Sequence, residues 1–349
     1  MAVPPPASPA RPAHPFRRRR LVVGALALVA VAVVVSAAWV GADRLSTGRA
    51  VGARPPPTAP IARVAAPTTT TTSVPGVPGT DAVTEQTVTF TDPTRQTPAR
   101  GSVPAQSGRV LTTVIRRPVG VTGPLPLVVF AHGWDSDPAK YATLLDAWAS
   151  AGYLVAAPTL PDSADTLPGT PVSDPVDQAL DLSFVVTAML GGAYGPVDPA
   201  RIAVAGHSDG GTDVALLALD PSVADHRIRA YLSLSGQIPT WLPGPFDAVT
   251  PGSLLSAVGT DDEYGLYPQS FDVYQSATMA KVFVSAEGGD HLDTFVGATP
   301  AAVAMRAETV RFLDAALAPG TPTSAGLAAA LTPTGDPTLS VDVAPPPGT

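Results

Sequence analysis

The segment Gly206-His207-Ser208-Asp209-Gly210-Gly211 is the most informative part of this sequence for its fold. It directly follows Arg201–Ala205, a short run that predicts a strand, and it leads into a predicted helix over Gly210–Leu219. G-x-S-x-G between a strand and a helix is typical of a nucleophile elbow, in which small residues permit a sharp turn that exposes the serine hydroxyl. The helix start directs backbone N–H groups at the site, so we expect Ser208 to be a nucleophile and Asp209 N–H an oxyanion donor. The plain alternative is a βα turn with an ordinary N-cap serine.

A second predicted strand end carries His132-Gly133-Trp134. These residues follow Leu127–Ala131, a continuous apolar run that is typical of a strand covered on both faces. A loop at this place can supply the second oxyanion donor, and we expect it to be the backbone N–H of Trp134, with the indole covering the pocket. A tight turn with a tryptophan packed in the core is the alternative interpretation.

Two later strands supply the remaining candidates in the chain order that the nucleophile elbow requires. Leu254–Val258 leads into Gly259-Thr260-Asp261-Asp262-Glu263, and Val282–Ser285 leads into Glu287-Gly288-Gly289-Asp290-His291. His291 is the only histidine after Ser208 that follows a late strand, and it is the predicted general base. The spacing after the strand favours Asp262 as the acid that orients it, while Asp261 and Glu263 remain open alternatives.

Strands and helices alternate through the middle of the chain. This rhythm predicts an α/β fold, a doubly wound and mostly parallel sheet with helices on both faces. Ligands of such sheets lie beyond the carboxyl ends of the strands, where the candidate residues above are found. The other predicted strands are Thr84–Phe90, Val110–Arg116, Tyr153–Ala156 and Ala230–Leu234, and the other predicted helices are Pro138–Ser150, Asp177–Leu190 and Ala302–Leu317.

With these landmarks the chain resembles the α/β-hydrolase superfamily over residues 84–317. The lead-in Phe90–Arg95 and Arg109–Val114 is similar to the branch of dienelactone-hydrolase-like proteins, platelet-activating-factor acetylhydrolases, chlorophyllases and polyester hydrolases. The resemblance implies a serine esterase, lipase-like in type, that acts through an acyl-enzyme. Dienelactone hydrolase itself uses a cysteine, which this chain lacks, and Ser208 excludes the chemistry of the aspartate-dependent dehalogenases and epoxide hydrolases.

The length of one connection bears on the substrate. Only the 19 residues Ser235–Ser253 separate two predicted strands, and this connection is too short for a large cap domain. We therefore predict an open, apolar cleft with Trp134 and Trp241 in substrate binding. Such a cleft suits lipid-like, aryl or polymeric esters, although either tryptophan can equally be a packing residue.

Composition excludes several classes of protein. The chain has no cysteine, and therefore no disulfide, no thiolate nucleophile and no cysteine-ligated metal. Asp290-His291-x-Asp293 is too small a set for a closed metal site, so we predict no metal and no cofactor. Residues 1–54 hold eight Arg and one Asp and so have a net charge of +7. Because the whole chain has a net charge of −8, the remaining residues have a net charge of −15. Such an acidic body argues against a nucleic-acid partner.

The N-terminus is interpreted as a membrane-targeting segment. The basic tail 1–20 ends in Arg17–Arg20, and residues 21–40 carry no charge over a length that spans a bilayer as a helix. We predict an anchor within 21–42, with the tail in the cytoplasm and the catalytic domain outside; a cleaved signal peptide and secretion are the alternative. A Pro/Thr-rich linker is predicted over 43–80, the catalytic domain over 81–318 and a disordered tail over 319–349. The preference for arginine over lysine is typical of a GC-rich bacterial genome, and the sequence leaves the oligomeric state unknown.

Two further functional hypotheses remain at this stage. The domain can be a catalytically silent binding module on a membrane tether, because a fold alone does not establish a reaction. It can also be a peptidase of the same fold. Covalent labelling by a fluorophosphonate separates enzyme from binding module, and ester against peptide substrates separates the two hydrolases.

Overall fold

The computed structural model describes residues 61–64, 82–248, 250–331 and 338–342. Its strands are β1 (Ile61–Val64), β2 (Val83–Thr97), β3 (Gln106–Pro118), β4 (Leu125–Ala131), β5 (Leu154–Pro158), β6 (Val197–His207), β7 (Ala230–Leu234), β8 (Ser253–Gly259), β9 (Ala280–Ala286) and β10 (Leu339–Asp342). Its α-helices are α1 (Ala142–Ser150), α2 (Pro175–Leu190), α3 (Asp209–Leu219), α4 (Tyr267–Ser276), α5 (Asp293–Val296), α6 (Pro300–Ala316) and α7 (Ser324–Leu331), and a 3-10 turn over Pro138–Tyr141 precedes α1.

The strands form one sheet in the order β1-β2-β3-β5-β4-β6-β7-β8-β9-β10. The six central strands, β5-β4-β6-β7-β8-β9 in spatial order, pair in parallel, and antiparallel strands lie at both edges. The strand order reverses beside β4, which is the place where ligands bind in open α/β sheets. The mostly parallel, doubly wound sheet that was predicted is confirmed, and it has the α/β-hydrolase fold.

Alternate residues of β4 explain why its sequence is apolar throughout. Leu127 and Val129 belong to the hydrophobic cluster that α2 and α3 cover, whereas Val128 and Phe130 belong to the cluster on the opposite face, with α1 and α6. A strand with helices over both faces has no side that favours polar residues. The two clusters hold the carboxyl ends of the parallel strands in fixed positions.

The loops at this carboxyl edge carry the candidate residues. The loop after β4 carries Trp134, the turn after β6 carries Ser208, and the loops after β8 and β9 carry Asp262 and His291. The connection from β7 to β8 has neither helix nor strand in its described part, so no cap domain covers this edge there.

A buried ionic network fastens the first hairpin to α2 and to the loop after β5. Arg109 is fully buried; its Nε donates to Asp181 at 2.7 Å, and it also pairs with Asp162. Burial raises the pKa of Asp162 to about 6, although the Arg109 guanidinium opposes the shift. Removing one partner would leave an unpaired charge in the core, which is the costly way to break such a network.

The C-terminal segment differs from its prediction. Within residues 319–349, predicted to be a disordered tail, Ser324–Leu331 forms α7 and Leu339–Asp342 forms β10, antiparallel to β9. Leu327 and Leu331 are buried in the cluster with α1 and α6, and this burial gives the segment a reason to fold. The alanine-rich composition of this segment did not indicate a folded helix, because the helix is stabilised by packing against distant residues.

The N-terminal predictions fall mostly outside the described residues. Residues 1–42, with the predicted anchor, are outside them, whereas Ile61–Val64 lies inside the predicted linker and pairs with β2 as β1. Among the helices that the structure does describe, none has the length and apolarity needed to cross a bilayer. Contacts divide the chain into two units; Glu263–Gly265 is the described part of one, and all other described residues belong to the second.

Candidate active site

Ser208 lies on a strained turn between β6 and α3. Its φ of 59° and ψ of −116° are rare for a residue with a side chain. A Cβ on Gly206 would lie 2.0 Å from the Gly210 carbonyl oxygen, so this turn admits no larger residue there. The Ser208 N–H donates to Leu234 O at 2.8 Å, which ties the turn to the neighbouring strand β7. Backbone strain held by its surroundings in this way clusters at functional sites.

Asp262 and His291 form a buried pair on adjacent loops. His291 Nδ1 and Asp262 Oδ2 are 2.7 Å apart, and the Asp262 side chain has no exposed surface. A carboxylate oxygen can only accept, so Nδ1 carries the proton and Nε2 keeps its lone pair. That tautomer is the one in which an imidazole can take a proton from a hydroxyl.

Glycines bring these two loops into contact. A Cβ on Gly259 would lie 2.2 Å from Gly289 O, and the N–H of Asp261 donates to that same oxygen at 2.9 Å. The close approach directs Asp262 inward, while the side chains of Asp261 and Glu263 are exposed. Of the three acids that the sequence left open, the structure brings Asp262 to the histidine.

His207 brings the His291 segment beside the nucleophile. Its Nε2 lies 2.8 Å from the His291 carbonyl oxygen, and the two imidazole centroids are 4.5 Å apart. Ser208 is the next residue in the chain, so the serine and His291 meet at the same end of β6. Burial, with a further contribution from His291, lowers the pKa of His207 to about 3.

The loop of residues 132–134 is held by a second buried histidine. Leu160 N–H donates to His132 Nε2 at 2.9 Å, so the proton of the ring is on Nδ1, which lies 2.8 Å from Gly133 O. The carbonyl of Gly133 and the N–H of Trp134 point in opposite directions across one planar peptide. Holding the carbonyl toward His132 therefore turns the Trp134 N–H the other way. Burial lowers the pKa of His132 to about 4, so the ring is neutral at pH 7.

This loop lies against the nucleophile. A Cβ on Gly133 would be 3.2 Å from Ser208 Cβ and 3.1 Å from Tyr141 Oη. Asp209, on the other side of the serine, is the first residue of α3, so its N–H has no partner within the helix. The two predicted oxyanion donors therefore flank Ser208, one in the adjacent loop and one in the next residue of the chain.

The half-buried side chain of Asp209 shares a hydrogen-bond donor with the buried carboxyl of Asp213. Ser173 Oγ donates to Asp209 Oδ1 at 2.6 Å, and Gln178 Nε2 donates to Asp209 Oδ2 at 3.0 Å and to both oxygens of Asp213. Burial raises the pKa of Asp209, while these two hydrogen bonds oppose the shift. Burial and the nearby Asp209 raise the pKa of Asp213 well above its ordinary value.

The two predicted substrate-binding tryptophans are both accessible. Trp134 and Trp241 are each 47% exposed, which is unusual for side chains of this size. Trp134 follows Gly133 and so lies close to Ser208, whereas Trp241 lies in the connection from β7 to β8. In that connection the neighbouring Ile238 and Leu242 are partly buried and pack against the core.

Asp290 and Asp293 do not assemble with other donors. Asp290 Oδ1 accepts from the N–H of Thr294 at 3.2 Å, and its carbonyl accepts from Thr294 Oγ1 at 2.5 Å, so it stabilises the turn that follows His291. Within the part of the chain that the structure describes, no group of three histidine or carboxylate side chains is arranged to hold a metal ion.

Sequence analysis missed the residues that support the site. His132 and His207 belong to the two motifs, Tyr141 lies in the predicted helix Pro138–Ser150 and Gln178 lies in the predicted helix Asp177–Leu190, but none of them was assigned a supporting role from the sequence. The available signal was a histidine directly after an apolar strand in one motif and next to Ser208 in the other, because an imidazole placed beside the core needs hydrogen-bond partners.

The chlorophyllase family model matches residues 94–236 of the chain. This range contains the loop at 132–134 and Ser208, and it ends before Asp262 and His291. No curated protein is significantly similar to the chain. The family match confirms the predicted resemblance to the branch of the superfamily that holds chlorophyllases and platelet-activating-factor acetylhydrolases.

Proposed function

Because residues 94–236 match the chlorophyllase family and the sheet has the α/β-hydrolase arrangement, we propose that this chain hydrolyses carboxylic esters through an acyl-enzyme on Ser208. The observation that carries the proposal is the buried hydrogen bond of 2.7 Å between His291 Nδ1 and Asp262 Oδ2, at the edge of the sheet where Ser208 lies half-buried on its strained turn. The family match supports an ester-directed hydrolase, and the roles of single residues are our proposal.

In this mechanism His291 acts first as a base and then as an acid. Its Nε2 takes the proton of Ser208 as Oγ attacks the acyl carbon, and it returns that proton to the departing alkoxide. Water then attacks the acyl-enzyme with the same assistance, which releases the acid and restores Ser208. Asp262 stabilises the imidazolium that forms in both halves of the reaction.

We assign the developing oxyanion to the N–H groups of Trp134 and Asp209. Both belong to backbone that is fixed before the substrate arrives, the first by the bond between His132 and Gly133 O and the second by the start of α3. Donors that need no reorganisation during the reaction contribute most to such stabilisation, about 10²–10³-fold in kcat for one donor.

We propose that the acyl or alcohol part of the substrate is apolar. The indoles of Trp134 and Trp241 are exposed, and no cap domain closes the described connection between β7 and β8. An open apolar surface suits lipid-like, aryl or polymeric esters better than small charged metabolites. We further propose that residues 21–40 hold the protein at the membrane with the hydrolase domain outside the cytoplasm, cleavage and secretion being the alternative.

The test uses the full-length chain in detergent beside Ser208→Ala. Hydrolysis of p-nitrophenyl acetate, butyrate and octanoate is followed from pH 5 to pH 9, together with labelling by a fluorophosphonate. We expect turnover and labelling in the parent, both lost in the variant, with a rate that falls at the acid end of this range, as is typical of an imidazole base. A folded parent that neither turns over nor labels would make the domain a binding module, and cleavage of peptides alone would make it a peptidase.

A further inference from the structure

The site contains a chain of three hydrogen bonds that the proposed mechanism does not use. Gly133 N–H donates to Tyr141 Oη at 3.1 Å, Tyr141 Oη is 2.9 Å from His207 Nδ1, and His207 Nε2 is 2.8 Å from His291 O. Tyr141 and His207 are both buried. These hydrogen bonds therefore connect the loop beside Ser208 with the backbone of His291, the predicted base.

Only one arrangement of protons satisfies every contact. The His291 carbonyl can only accept, so the proton of the His207 ring is on Nε2 and Nδ1 presents a lone pair. Tyr141 must then donate its hydroxyl proton to Nδ1, and its oxygen is left to accept from Gly133 N–H. The donor and the acceptor are thereby fixed in each of the three hydrogen bonds, which run in one direction from Gly133 N–H through Tyr141 and His207 to the His291 carbonyl.

Both side chains stay neutral where an imidazole base works. Burial lowers the pKa of His207 to about 3, and burial raises the pKa of Tyr141 to about 12. A pair that does not titrate near pH 7 passes no proton to the reaction, and its effect is exerted through geometry.

Aromatic packing fixes the two rings from the sides. The Tyr141 ring lies 4.8 Å from that of Phe130, and the His207 ring lies 5.4 Å from that of Phe295, measured between centroids. Phe130 belongs to β4 and Phe295 to α5, so the rings are held by elements on both sides of the site. Side chains confined in this way can transmit the position of one loop to the other.

We propose that Tyr141 and His207 are positioning residues that couple the loop of residues 132–134 to the loop of His291, so that the oxyanion donor and the base keep one relative geometry. This inference rests on the proposed esterase function for its catalytic consequence. It assigns to the buried histidine of the elbow a role separate from proton transfer, and it makes Tyr141 part of the active-site framework although it is remote from the nucleophile in sequence.

The first experiment replaces the tyrosine hydroxyl and leaves the ring. Tyr141→Phe is compared with Tyr153→Phe, a matched control in which another buried tyrosine loses a hydrogen bond, here of 2.6 Å to Asp314. We expect kcat per fluorophosphonate-labelled site to fall about tenfold or more in Tyr141→Phe, with KM within about twofold and an unchanged shape of the pH profile. The control should keep its kcat. Equal kcat in Tyr141→Phe and the parent overturns the proposal.

The second experiment tests the coupling itself. His207→Leu fills the ring space and removes both hydrogen bonds, and it is combined with Tyr141→Phe in a double-mutant cycle. If the contacts act as one chain, Tyr141→Phe costs less in the His207→Leu background than alone. Strictly multiplicative losses would show that the two residues act independently, against our inference.

A third measurement does not depend on turnover. Hydrogen exchange of the Gly133 amide is measured by NMR in Ser208→Ala, with and without Tyr141→Phe. We expect faster exchange when the phenol is absent, because Gly133 N–H loses its acceptor. An unchanged exchange rate refutes the hydrogen-bond chain even if the parent proves to have no esterase activity, so the two failures are distinguishable.

Discussion

Replacing the carboxylate of the buried pair gives the sharpest test of the site. In Asp262→Asn the side chain keeps its shape, while the negative charge that faces His291 Nδ1 at 2.7 Å is removed. The amide can present either its oxygen or its NH₂ group to the ring. The first choice keeps the tautomer but loses the charge, and the second reverses the tautomer so that Nε2 no longer accepts the proton of Ser208.

The magnitude follows from the distance and the burial. With the contacting atoms 2.7 Å apart, the centres of the two charged groups are separated by about 4 Å, where a pair of unit charges interacts by about 4 kcal/mol at an effective dielectric constant of about 20. This energy is gained only when His291 becomes an imidazolium, so its loss falls on the transition state. At about 1.4 kcal/mol per factor of ten, kcat should fall about 10³-fold.

The assay is p-nitrophenyl butyrate hydrolysis at the pH of maximal rate, expressed per correctly folded molecule by near-ultraviolet circular dichroism. Asp261→Asn is the matched control, because that neighbouring carboxylate is exposed and should leave kcat within about twofold. The assignment of the acid would be refuted by a loss below tenfold in Asp262→Asn, or by an equal loss in Asp261→Asn.

Three further substitutions test other parts of the structure. Gly133→Ala places a methyl group 3.2 Å from Ser208 Cβ, so we expect kcat to fall about 10²-fold with little change in melting temperature, and a normal kcat would contradict the tight fit of this loop. Asp213→Asn removes a carboxyl whose pKa is raised by burial in the folded chain; because the unfolded chain loses that proton near the ordinary value of 3.8, the native carboxyl costs stability as the pH rises above it. The melting temperature of Asp213→Asn should therefore exceed that of the parent at about pH 8 and match it at about pH 3. The new amide can donate to Gln178 Oε1, which is buried without a partner among the described residues. A lower melting temperature of the variant at both pH values would refute the expected direction of the stability change. Leu327→Ala should lower the free energy of unfolding, measured with denaturant, by about 2–5 kcal/mol if α7 is part of the core. The control Ala325→Ser, at an exposed position of the same helix, should leave it almost unchanged. Equal stabilities of the two variants would contradict the packing of α7 against the core.

Local sequence determined the framework of the sheet and its nucleophile turn. Leu125–Ala131 is apolar at every position and Gly206–Gly211 combines glycines with one serine, so the strand and the turn follow from the residues themselves. Periodicity also found α2 and α6, whose apolar faces are broad. Each of these features depends on neighbours in the chain, which are visible without a structure.

Elements stabilised by distant contacts were harder to predict. α4 over Tyr267–Ser276 mixes aromatic and polar residues, and only Ser270, Val273 and Tyr274 are buried, so its sequence shows no clear apolar face. α7 owes its place to the burial of Leu327 and Leu331 against another part of the core. Packing between remote segments overrides local propensity in both helices.

The order of nucleophile, acid and histidine along the strands of an α/β sheet can be read from the residues alone, because glycine-rich turns and apolar strands are local properties. Which of Asp261, Asp262 and Glu263 faces His291 depends on contacts between distant segments, because Gly259 and Gly289 approach closely and the Asp262 side chain lies inward. Only the tertiary structure shows the hydrogen-bond chain through Tyr141 and His207. Residues that are 66 positions apart in the chain meet there because the sheet brings the ends of β4 and β6 together.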